Sequence, residues 1–337
     1  MINREWLHCK SGRLQRVACS LALASWLIST ANLAFAISDS AGTAGGAFMK
    51  LGQGSARAMA LGKSYVALAE GPDALTWNPA GLGVTQQKEL TYSYLRYVDG
   101  LSTPFFMGYA HPMGRTVWGG NAAYLASDDF DARDAAGVPQ QADVHVRDGF
   151  GTLGAARSFW YEKFFAGASL KLIHEDNNGN LHDTIAADMG FLLKPANLWS
   201  LGFAVQNIAG GKANAATVLR GGAAYKLGDF LTLALELNDS SDTGARVGLG
   251  GECLVPEEYL ELGQLTFRVG YYSADTLGQN RTSSQIKTLH LDKTSGLSFG
   301  FGLFTSQAFG YGIGLDYAFV PYGALGSVDQ ISLKIKF

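Results

Sequence analysis

The residues best suited to chemistry in this sequence lie in one short acidic stretch, HEDNNGNLHD, from His174 to Asp183. Imidazoles and carboxylates at this density could bind zinc or calcium. The histidines of the chain show no metal-ligand spacing, however, and Asn177, Asn178 and Gly179 are typical of the tip of a β-hairpin. A solvated hairpin tip therefore explains the stretch better than a metal site, and we expect no bound metal.

No other motif predicts catalysis or a cofactor. The chain contains no GxSxG nucleophile motif. Gly52-Gln53-Gly54 follows no predicted strand and lies in no βαβ unit, so a nucleotide-binding loop is not expected. The acidic stretch SDDFDARDAAG is typical of a charged surface loop. We expect neither an enzyme nor a cofactor.

Residues 1–36 have the features of a secretory signal peptide. A start rich in arginine and lysine precedes the apolar run Val17–Ile28, and Ala34-Phe35-Ala36 forms a small-x-small cleavage site. The apolar run is shorter than the roughly 20 residues that a transmembrane helix needs. Cys19 precedes most of this run instead of following it, which argues against a lipoprotein. The sequence therefore predicts export and removal of residues 1–36.

The composition favours a lipid-facing β protein. Charged residues make up 16% of the chain, against about 25% in typical soluble proteins, and 43 of the 337 residues are glycine. The net charge of −3 argues against nucleic acid, which requires a basic surface. Without the signal peptide Cys253 is the only cysteine, so no internal disulfide can form. A soluble β-sandwich or propeller stays open on composition alone.

After the signal peptide, no apolar run reaches the 18 uninterrupted residues that indicate a transmembrane helix. If the exported protein spans a membrane, it must therefore be a closed β-barrel, since only that alternative satisfies every backbone group in lipid.

Gly52–Gly83 differs from everything after it, because it is rich in Gly and Ala and nearly free of β-branched residues. Ser55 can cap a short helix, ARAMAL, that Gly62 ends. Pro72 suits the first turn of a second helix, DALTW, and Trp77-Asn78-Pro79 stops it. We expect residues 37–88 to form a partly helical plug inside a barrel made of residues 89–337.

The stretch GSARAMALGKSYVALAEGPDALTWNPAGLG resembles the N-terminal signature of the PorV/PorQ family of outer-membrane proteins, which belongs to the wider FadL-like group of long-chain fatty-acid transporters. The matching elements are Arg57-Ala58, Gly62, Tyr65–Gly71, Asp73-Ala74-Leu75 and Trp77-Asn78-Pro79-Ala80-Gly81. The resemblance implies a fourteen-stranded barrel with this stretch packed in its lumen. Lys63 departs from the pattern, which favours a small residue there.

The plug predicts a set of candidate gate residues. They are Gly52, Gly54, Arg57, Gly62, Asp73, Trp77, Asn78, Pro79, Ala80 and Gly81.

Period-two alternation over about 9–11 residues is the sequence signature of a barrel wall. In Leu231–Asn238 the leucines alternate with Thr232, Ala234, Glu236 and Asn238, so each set lies on one face. The alternation predicts fourteen strands: Glu89–Tyr97, Thr103–His111, Thr116–Ala126, Val144–Phe159, Phe164–His174, Thr184–Leu193, Trp199–Gln206, Val218–Leu227, Leu231–Asn238, Ala245–Val255, Leu265–Tyr272, Leu297–Phe304, Tyr311–Phe319 and Gln330–Phe337.

The connections between these strands differ in length by parity. Most even-numbered connections are short turns, whereas odd-numbered ones include the long loops Ser127–Asp143, Glu175–Asp183, Asn207–Thr217, Ser273–Gly296 and Val320–Asp329. Short turns at one rim and long loops at the other are typical of a transmembrane barrel. We expect the short-turn rim, with both termini, to be periplasmic.

The last strand alternates apolar and polar residues and ends on Phe337, resembling the terminal strand by which barrel-assembly machinery recognises its clients. Its signal residues would be Ile331, Leu333, Ile335 and Phe337. Such a regular edge would pair with other chains unless it is closed. The sequence thus predicts a transmembrane antiparallel β-barrel in the outer membrane of a diderm bacterium, with outer-membrane lipid and the assembly machinery as partners.

Three functions follow from this interpretation. The first is a FadL-like channel for hydrophobic small molecules, in which the plug forms a gate. The second, implied by the resemblance, is a type IX secretion accessory barrel that binds or shuttles secreted proteins through its long loops. The third is a structural outer-membrane protein.

Overall fold

The computed structural model describes residues 54–96, 104–134, 138–208, 215–242, 244–260, 263–273, 296–308, 310–321 and 327–337. The predicted signal peptide, residues 37–53 with the candidate Gly52, and residues 274–295 of a predicted long loop lie outside these ranges.

Fourteen antiparallel strands close into one barrel, as the alternation predicted. Each strand pairs with its neighbours in sequence, and β1 pairs with β14 from Glu89↔Lys336 to Arg96↔Asp329. No helix among the described residues is long and apolar enough to cross a membrane. The strands are β1 Glu89–Arg96, β2 Phe105–Met113, β3 Thr116–Arg133, β4 Pro139–Phe159, β5 Phe164–Asn177, β6 Asn180–Ala196, β7 Trp199–Ile208, β8 Val218–Leu227, β9 Leu231–Ser240, β10 Gly244–Val255, β11 Gln264–Tyr272, β12 Leu297–Ala308, β13 Tyr311–Pro321 and β14 Ser327–Lys336.

The alternation of side chains separates the lipid face from the lumen. On β9, Leu233, Leu235 and Leu237 are exposed on the outside, whereas Glu236 and Asn238 are buried inside. The same pattern holds on β1, where exposed and buried residues alternate along all eight positions. The apolar exterior is what a bilayer requires of a barrel wall, and the polar set is left for the lumen.

Two predicted long loops are largely strand. The structure extends β3 to Arg133 and starts β4 at Pro139, and it brings β5 and β6 together at the tight turn Asn178-Gly179. Both turn residues have positive φ, 54° and 87°, as a two-residue hairpin turn requires. The predicted loops Ser127–Asp143 and Glu175–Asp183 were therefore wrong, because cross-strand pairing continues beyond the apolar alternation that marks the bilayer.

Residues 54–84 form compact turns inside the barrel. Helix α1, Ala56–Ala60, has the predicted Ser55 cap, whose side chain accepts from the Ala58 amide. Pro72–Thr76 is a 3₁₀ helix where a second α-helix was expected. A further 3₁₀ helix, Pro79–Val84, leads from the plug toward β1. A last short helix, α2 Glu257–Leu260, joins β10 to β11.

Candidate functional site: the plug and the lumen that holds it

The plug, residues 54–84, lies directly against glycines of the barrel wall. A β-carbon at Gly202 would collide with the Val66 carbonyl, and one at Gly167 would lie 2.5 Å from the Pro79 backbone. Because these positions lack a side chain, the plug comes close to the wall over most of its circumference. A β-carbon would meet the plug backbone at Gly167, Gly202, Gly248, Gly250 and Gly270, and plug side chains at Gly108, Gly119, Gly154, Gly190, Gly222 and Gly300.

Three candidate glycines of the plug are needed for the same close fit. Gly54 and Gly62 have positive φ, 91° and 61°. A β-carbon would lie 2.8 Å from the Phe106 ring at Gly54 and 2.5 Å from the Tyr271 backbone at Gly62. At Gly81 it would collide with the Ala69 carbonyl within the plug itself.

Arg57 joins the plug to the wall through charge-assisted hydrogen bonds. Its Nε and Nη2 atoms donate to the two oxygens of Glu252 on β10, each at 2.8 Å, and Nη1 donates to Glu70 at 2.7 Å. Glu252 also accepts from Arg268, which donates to Asp316 at 2.6 Å. Bidentate pairs of this kind are the strongest and most directional of protein hydrogen bonds. The network thus fixes α1 to β10, β11 and β13.

Glu236 of β9 provides a second attachment. Its Oε2 accepts from the amides of Tyr65 and Val66, both at 2.8 Å, and its Oε1 accepts from Arg220 at 2.7 Å. The Arg220 guanidinium also lies 4.8 Å from the centre of the Trp77 ring. Trp77 is buried and packs edge-on against Tyr65. A buried wall carboxylate therefore satisfies the plug backbone, as buried amides require.

Asn78 is the corner that closes the plug. Its side-chain amide donates to the carbonyls of Val66, 2.9 Å away in the plug, and of Phe191, 3.0 Å away on β6, while its Oδ1 accepts from the Ala80 amide. Pro79 begins the second 3₁₀ helix, and Ala80 packs with buried apolar residues of the wall. The Asn-Pro-Ala corner thus connects two parts of the plug and the wall at one point.

Asp73 is fully buried, and neither carboxylate oxygen has a hydrogen-bond donor among the described residues. Lys334 Nζ lies 3.5 Å from Oδ2. Burial, together with nearby Glu89 and Asp316, raises the pKa of Asp73 to about 7 against the attraction of Lys334. Glu70 differs, because Arg57 and Lys334 overcome the effect of burial and lower its pKa to about 2. Asp73 is therefore the plug carboxylate that titrates near neutral pH.

Apolar side chains line the lumen on the long-loop side of the plug. Phe106, Ala123, Phe150 and Ile173 occupy one cross-strand row on β2 to β5. They belong to one buried cluster together with Leu125, Ala186 and Ala215. This row gives the long-loop half of the lumen a hydrophobic lining.

A neutralised ion pair lies next to this apolar row. Lys171 Nζ is 3.0 Å from Asp188 Oδ2, and both side chains are almost completely buried. Lys171 also donates to Asn207, whose amide donates to Asp188 at 2.7 Å. The opposite charges of Lys171 and Asp188 are therefore paired within the wall. Asp148 and Glu175, which are cross-strand neighbours one luminal row closer to the long loops than the apolar row, add two carboxylates to the same half of the lumen.

The short-turn side of the plug is different in character. A cavity of about 370 Å³ lies there, and its lining combines apolar side chains such as Phe230 and Leu254 with the charged Arg57, Glu252, Arg268, Lys334 and Lys336. Charged side chains thus occur in both halves of the lumen, and the apolar row distinguishes the long-loop half.

The terminal strand closes the barrel wall. Ile331, Leu333 and Phe337 are exposed on the outer face, and Ile335 pairs with Leu90 of β1 and Ile313 of β13. The four predicted signal residues thus lie at the seam where the first and last strands meet.

The described residues contain no group of three or more His, Cys, Asp or Glu side chains that could hold a metal. In the acidic stretch, His174 Nδ1 lies 2.6 Å from Asp183, and the pair is exposed beside the hairpin turn.

The fold is similar to that of solved hydrocarbon transporters. The toluene transporter TbuX of Ralstonia pickettii has a TM-score of 0.56 and 13% identity, over 85% of this chain and 97% of that one. A FadL homologue of Pseudomonas aeruginosa has a TM-score of 0.56 and 10% identity, over 84% of this chain and 98% of that one. The toluene transporter TodX of Pseudomonas putida has a TM-score of 0.53 and 13% identity, over 84% of this chain and 96% of that one. No protein-family model and no curated protein matches the sequence. At these identities the likeness shows a FadL-like barrel fold.

Sequence reasoning missed the wall residues that hold the plug. Glu236, Glu252, Arg268 and Asp316 each interrupt an otherwise small or apolar strand at a luminal position. The sequence does contain a signal for these residues, because charged side chains recur at inward-facing positions of strands whose other face contacts lipid. A lumen that held only water would not require paired charges of opposite sign. The sequence does not indicate which plug residue each of these wall side chains contacts.

Proposed function

We propose that this protein is an outer-membrane channel for small, uncharged hydrophobic molecules, with residues 54–84 as its gate. The observation that carries the proposal is the apolar row Phe106–Ala123–Phe150–Ile173 in the lumen on the long-loop side of a tightly fitted plug. An apolar row in the lumen favours ligands that lose little solvation on entry. The short-turn rim would face the periplasm.

The pairing of luminal charges favours an uncharged ligand. A fatty-acid carboxylate in the long-loop half would need an available cation, because burying an unpaired charge is costly. Lys171 is already held by Asp188 and Asn207. The fold likeness to the toluene transporters TbuX and TodX supports the same ligand class.

Reconstitution into liposomes tests the proposal. We expect uptake of radiolabelled toluene above that of protein-free vesicles, with a long-chain fatty acid taken up more slowly. Asn78→Ala, which removes the hydrogen bonds to Val66 and Phe191, should change the uptake rate. Gly221→Ala is the matched control, because a β-carbon there meets nothing within 4 Å. Absence of toluene uptake by a folded, heat-modifiable barrel would exclude the channel.

A second candidate is a barrel that binds secreted proteins, as the resemblance to PorV/PorQ implies. The favouring observation is that β3, β4, β5 and β6 have 18, 21, 14 and 17 residues, whereas about 9–11 suffice to cross a bilayer. Their long-loop ends would project as a sheet at the cell surface. Failure of toluene uptake, with co-purification of an exported protein through this sheet, would favour this role in type IX secretion.

We also propose that β14 is the strand that barrel-assembly machinery recognises. Replacing Phe337 by Ala should slow membrane insertion in a reconstituted assembly assay, and insertion at the unchanged rate would contradict the assignment.

A further inference from the structure

Arg157 is an exposed arginine on the lipid-facing side of β4. It lies on the same face as Leu153, whose side chain is 75% exposed. Its cross-strand partners are Thr116 and Ala166, neither of which is acidic. Among the described residues its guanidinium contacts the ring of Phe159, 5.8 Å from the ring centre. The luminal Arg57, Arg220 and Arg268, in contrast, all contact carboxylates.

The position of Arg157 near the short-turn rim is marked by aromatic side chains. Phe159, Trp160 and Phe164 pack together on the outer face. The ring centre of Phe164 lies 6.0 Å from that of Phe159 and 5.4 Å from that of Trp160. Aromatic clusters of this kind lie at the membrane–water interface. Arg157 lies two residues from Phe159 on the bilayer side of this cluster, so its side chain can extend past the rings toward the headgroups while its stem stays against apolar surface.

The adjoining turn holds two aromatic residues in an unusual backbone conformation. Trp160, Tyr161 and Glu162 all have positive φ, at 50°, 56° and 62°. Bulky residues rarely adopt this region. The turn presents Trp160 at 71% exposure and Tyr161 at 98% beyond the end of the wall. The result is an exposed aromatic edge close to Arg157 in sequence.

Two more exposed cations lie in the turns at this end of β4. Arg115 is exposed in the β2–β3 turn, and its carbonyl accepts from the Ser158 amide at 3.0 Å, which places it next to Arg157. Lys163 is exposed at the end of the β4–β5 turn. Glu162 is the acidic residue of this turn. The surface at this end of β4 therefore carries an excess of positive charge.

We propose that Arg115, Arg157 and Lys163 form a binding site for an anionic phospholipid in the leaflet on the short-turn side. The planar guanidinium of Arg157 binds the phosphate in a bidentate manner. Arg115 and Lys163 supply the charge that discriminates an anionic headgroup from a zwitterionic one. Trp160 and Phe164 contact the glycerol and upper acyl region. This site is independent of what the lumen conducts.

Native mass spectrometry of the protein in detergent tests the site, with dioleoyl phosphatidylglycerol and dioleoyl phosphatidylcholine as competing probes. We expect the unmodified protein to retain phosphatidylglycerol preferentially. Arg157→Gln should lower that preference about fivefold, the factor that corresponds to ~1 kcal/mol for one basic residue at an anionic membrane surface. Arg147→Gln, an exposed arginine at the opposite end of the same strand, is the matched control and should keep the preference.

Two outcomes would overturn the proposal. One is equal retention of the two lipids by the unmodified protein. The other is an equal loss in Arg147→Gln, which would show that net charge alone attracts the lipid. If Arg157→Gln does not fold, the double variant Arg115→Gln/Lys163→Gln decides, because both residues lie in exposed turns. Preference retained in a folded double variant would count against the site.

Discussion

The guanidinium of Arg57 and the carboxylate of Glu252 face each other through two hydrogen bonds of 2.8 Å, across 195 positions of sequence. Both side chains are mostly buried, at 16% and 11% exposure. One partner belongs to the plug and the other to the wall, so the pair holds α1 against β10. Glu252 also binds Arg268, and its removal would leave two arginines without their shared carboxylate.

Glu252→Gln should therefore loosen the plug without removing it. Breaking one side of a largely buried ion pair costs about 3–5 kcal/mol, because the remaining charge stays desolvated. We expect faster hydrogen exchange at the amides of Ala58 to Ala60 and frequent ion-conducting openings in planar bilayers.

The control for this variant is Asp183→Asn, which removes the equally short contact with His174 at the hairpin tip. That pair is 54% and 78% exposed, so its loss should leave conductance unchanged. If both variants open equally often, the Arg57–Glu252 pair has no special role in holding the plug.

The glycine contacts predict that a single methyl group can unseat the plug. Gly202→Ala would place a β-carbon against the Val66 carbonyl, where the plug backbone cannot move without breaking its bonds to Glu236. We expect a loss of about 1–3 kcal/mol in the free energy of unfolding and protease sensitivity of the plug. Gly221 is next to Gly222, the cross-strand partner of Gly202, but it lies on the outer face of the wall. Gly221→Ala should therefore be neutral in both measurements.

The wall could be predicted from the sequence because lipid on one side and lumen on the other impose a period of two on every strand. The strands Trp199–Ile208 and Val218–Leu227 begin where alternation placed them. The extensions of β3 to β6 could not be predicted, since beyond the bilayer neither face must be apolar. Their pairing is set by the tight turn at Asn178-Gly179 and by neighbouring strands.

The plug was located by its composition, but its attachments were not predictable. The Ser55 cap is local in sequence, and its side chain meets an amide three positions away. The contacts of Arg57 with Glu252 and of Tyr65 with Glu236 span more than 150 positions and depend on barrel closure. Small residues in both plug and wall indicated close packing, while the partner of each was set by the three-dimensional path of the chain.

The raised pKa of Asp73 predicts that the plug is held in the barrel more firmly in mild acid than in base. Its pKa is raised from an ordinary 3.8 to about 7 when buried, so the docked plug binds the proton more tightly than a displaced one. The resulting stabilisation is complete below pH 3.8 and is lost as pH rises through 7, by about 1.4 kcal/mol per pH unit between these limits. Conductance in planar bilayers should therefore be lower at pH 5 than at pH 8.

The charged groups around Asp73 do not reverse this direction. It faces Lys334 of β14, Glu89 and Thr91 of β1, Asp316 of β13 and Tyr65 of the plug. An ionised Asp73 adds to the negative charge of the two carboxylates, which together with burial outweighs Lys334 and Thr91. Asp73→Asn mimics the protonated form and should give the same low conductance at pH 5 and pH 8. A pH dependence that persists in this variant would assign the titration to another group.

Changing the Lys171–Asp188 ion pair beside the apolar row should change the class of ligand that the channel prefers. Asp188→Asn keeps an oxygen that can accept from the Asn207 amide, but it removes the negative charge that neutralises Lys171. The buried ammonium then favours an anionic partner, so a carboxylate ligand gains an attraction that toluene does not. We expect fatty-acid uptake to rise about tenfold relative to toluene, the ratio that ~1.4 kcal/mol of new charge pairing provides. Lys171→Met/Asp188→Asn, which removes both charges, should restore the preference for toluene. An unchanged ratio in Asp188→Asn would show that the ligand does not pass this pair.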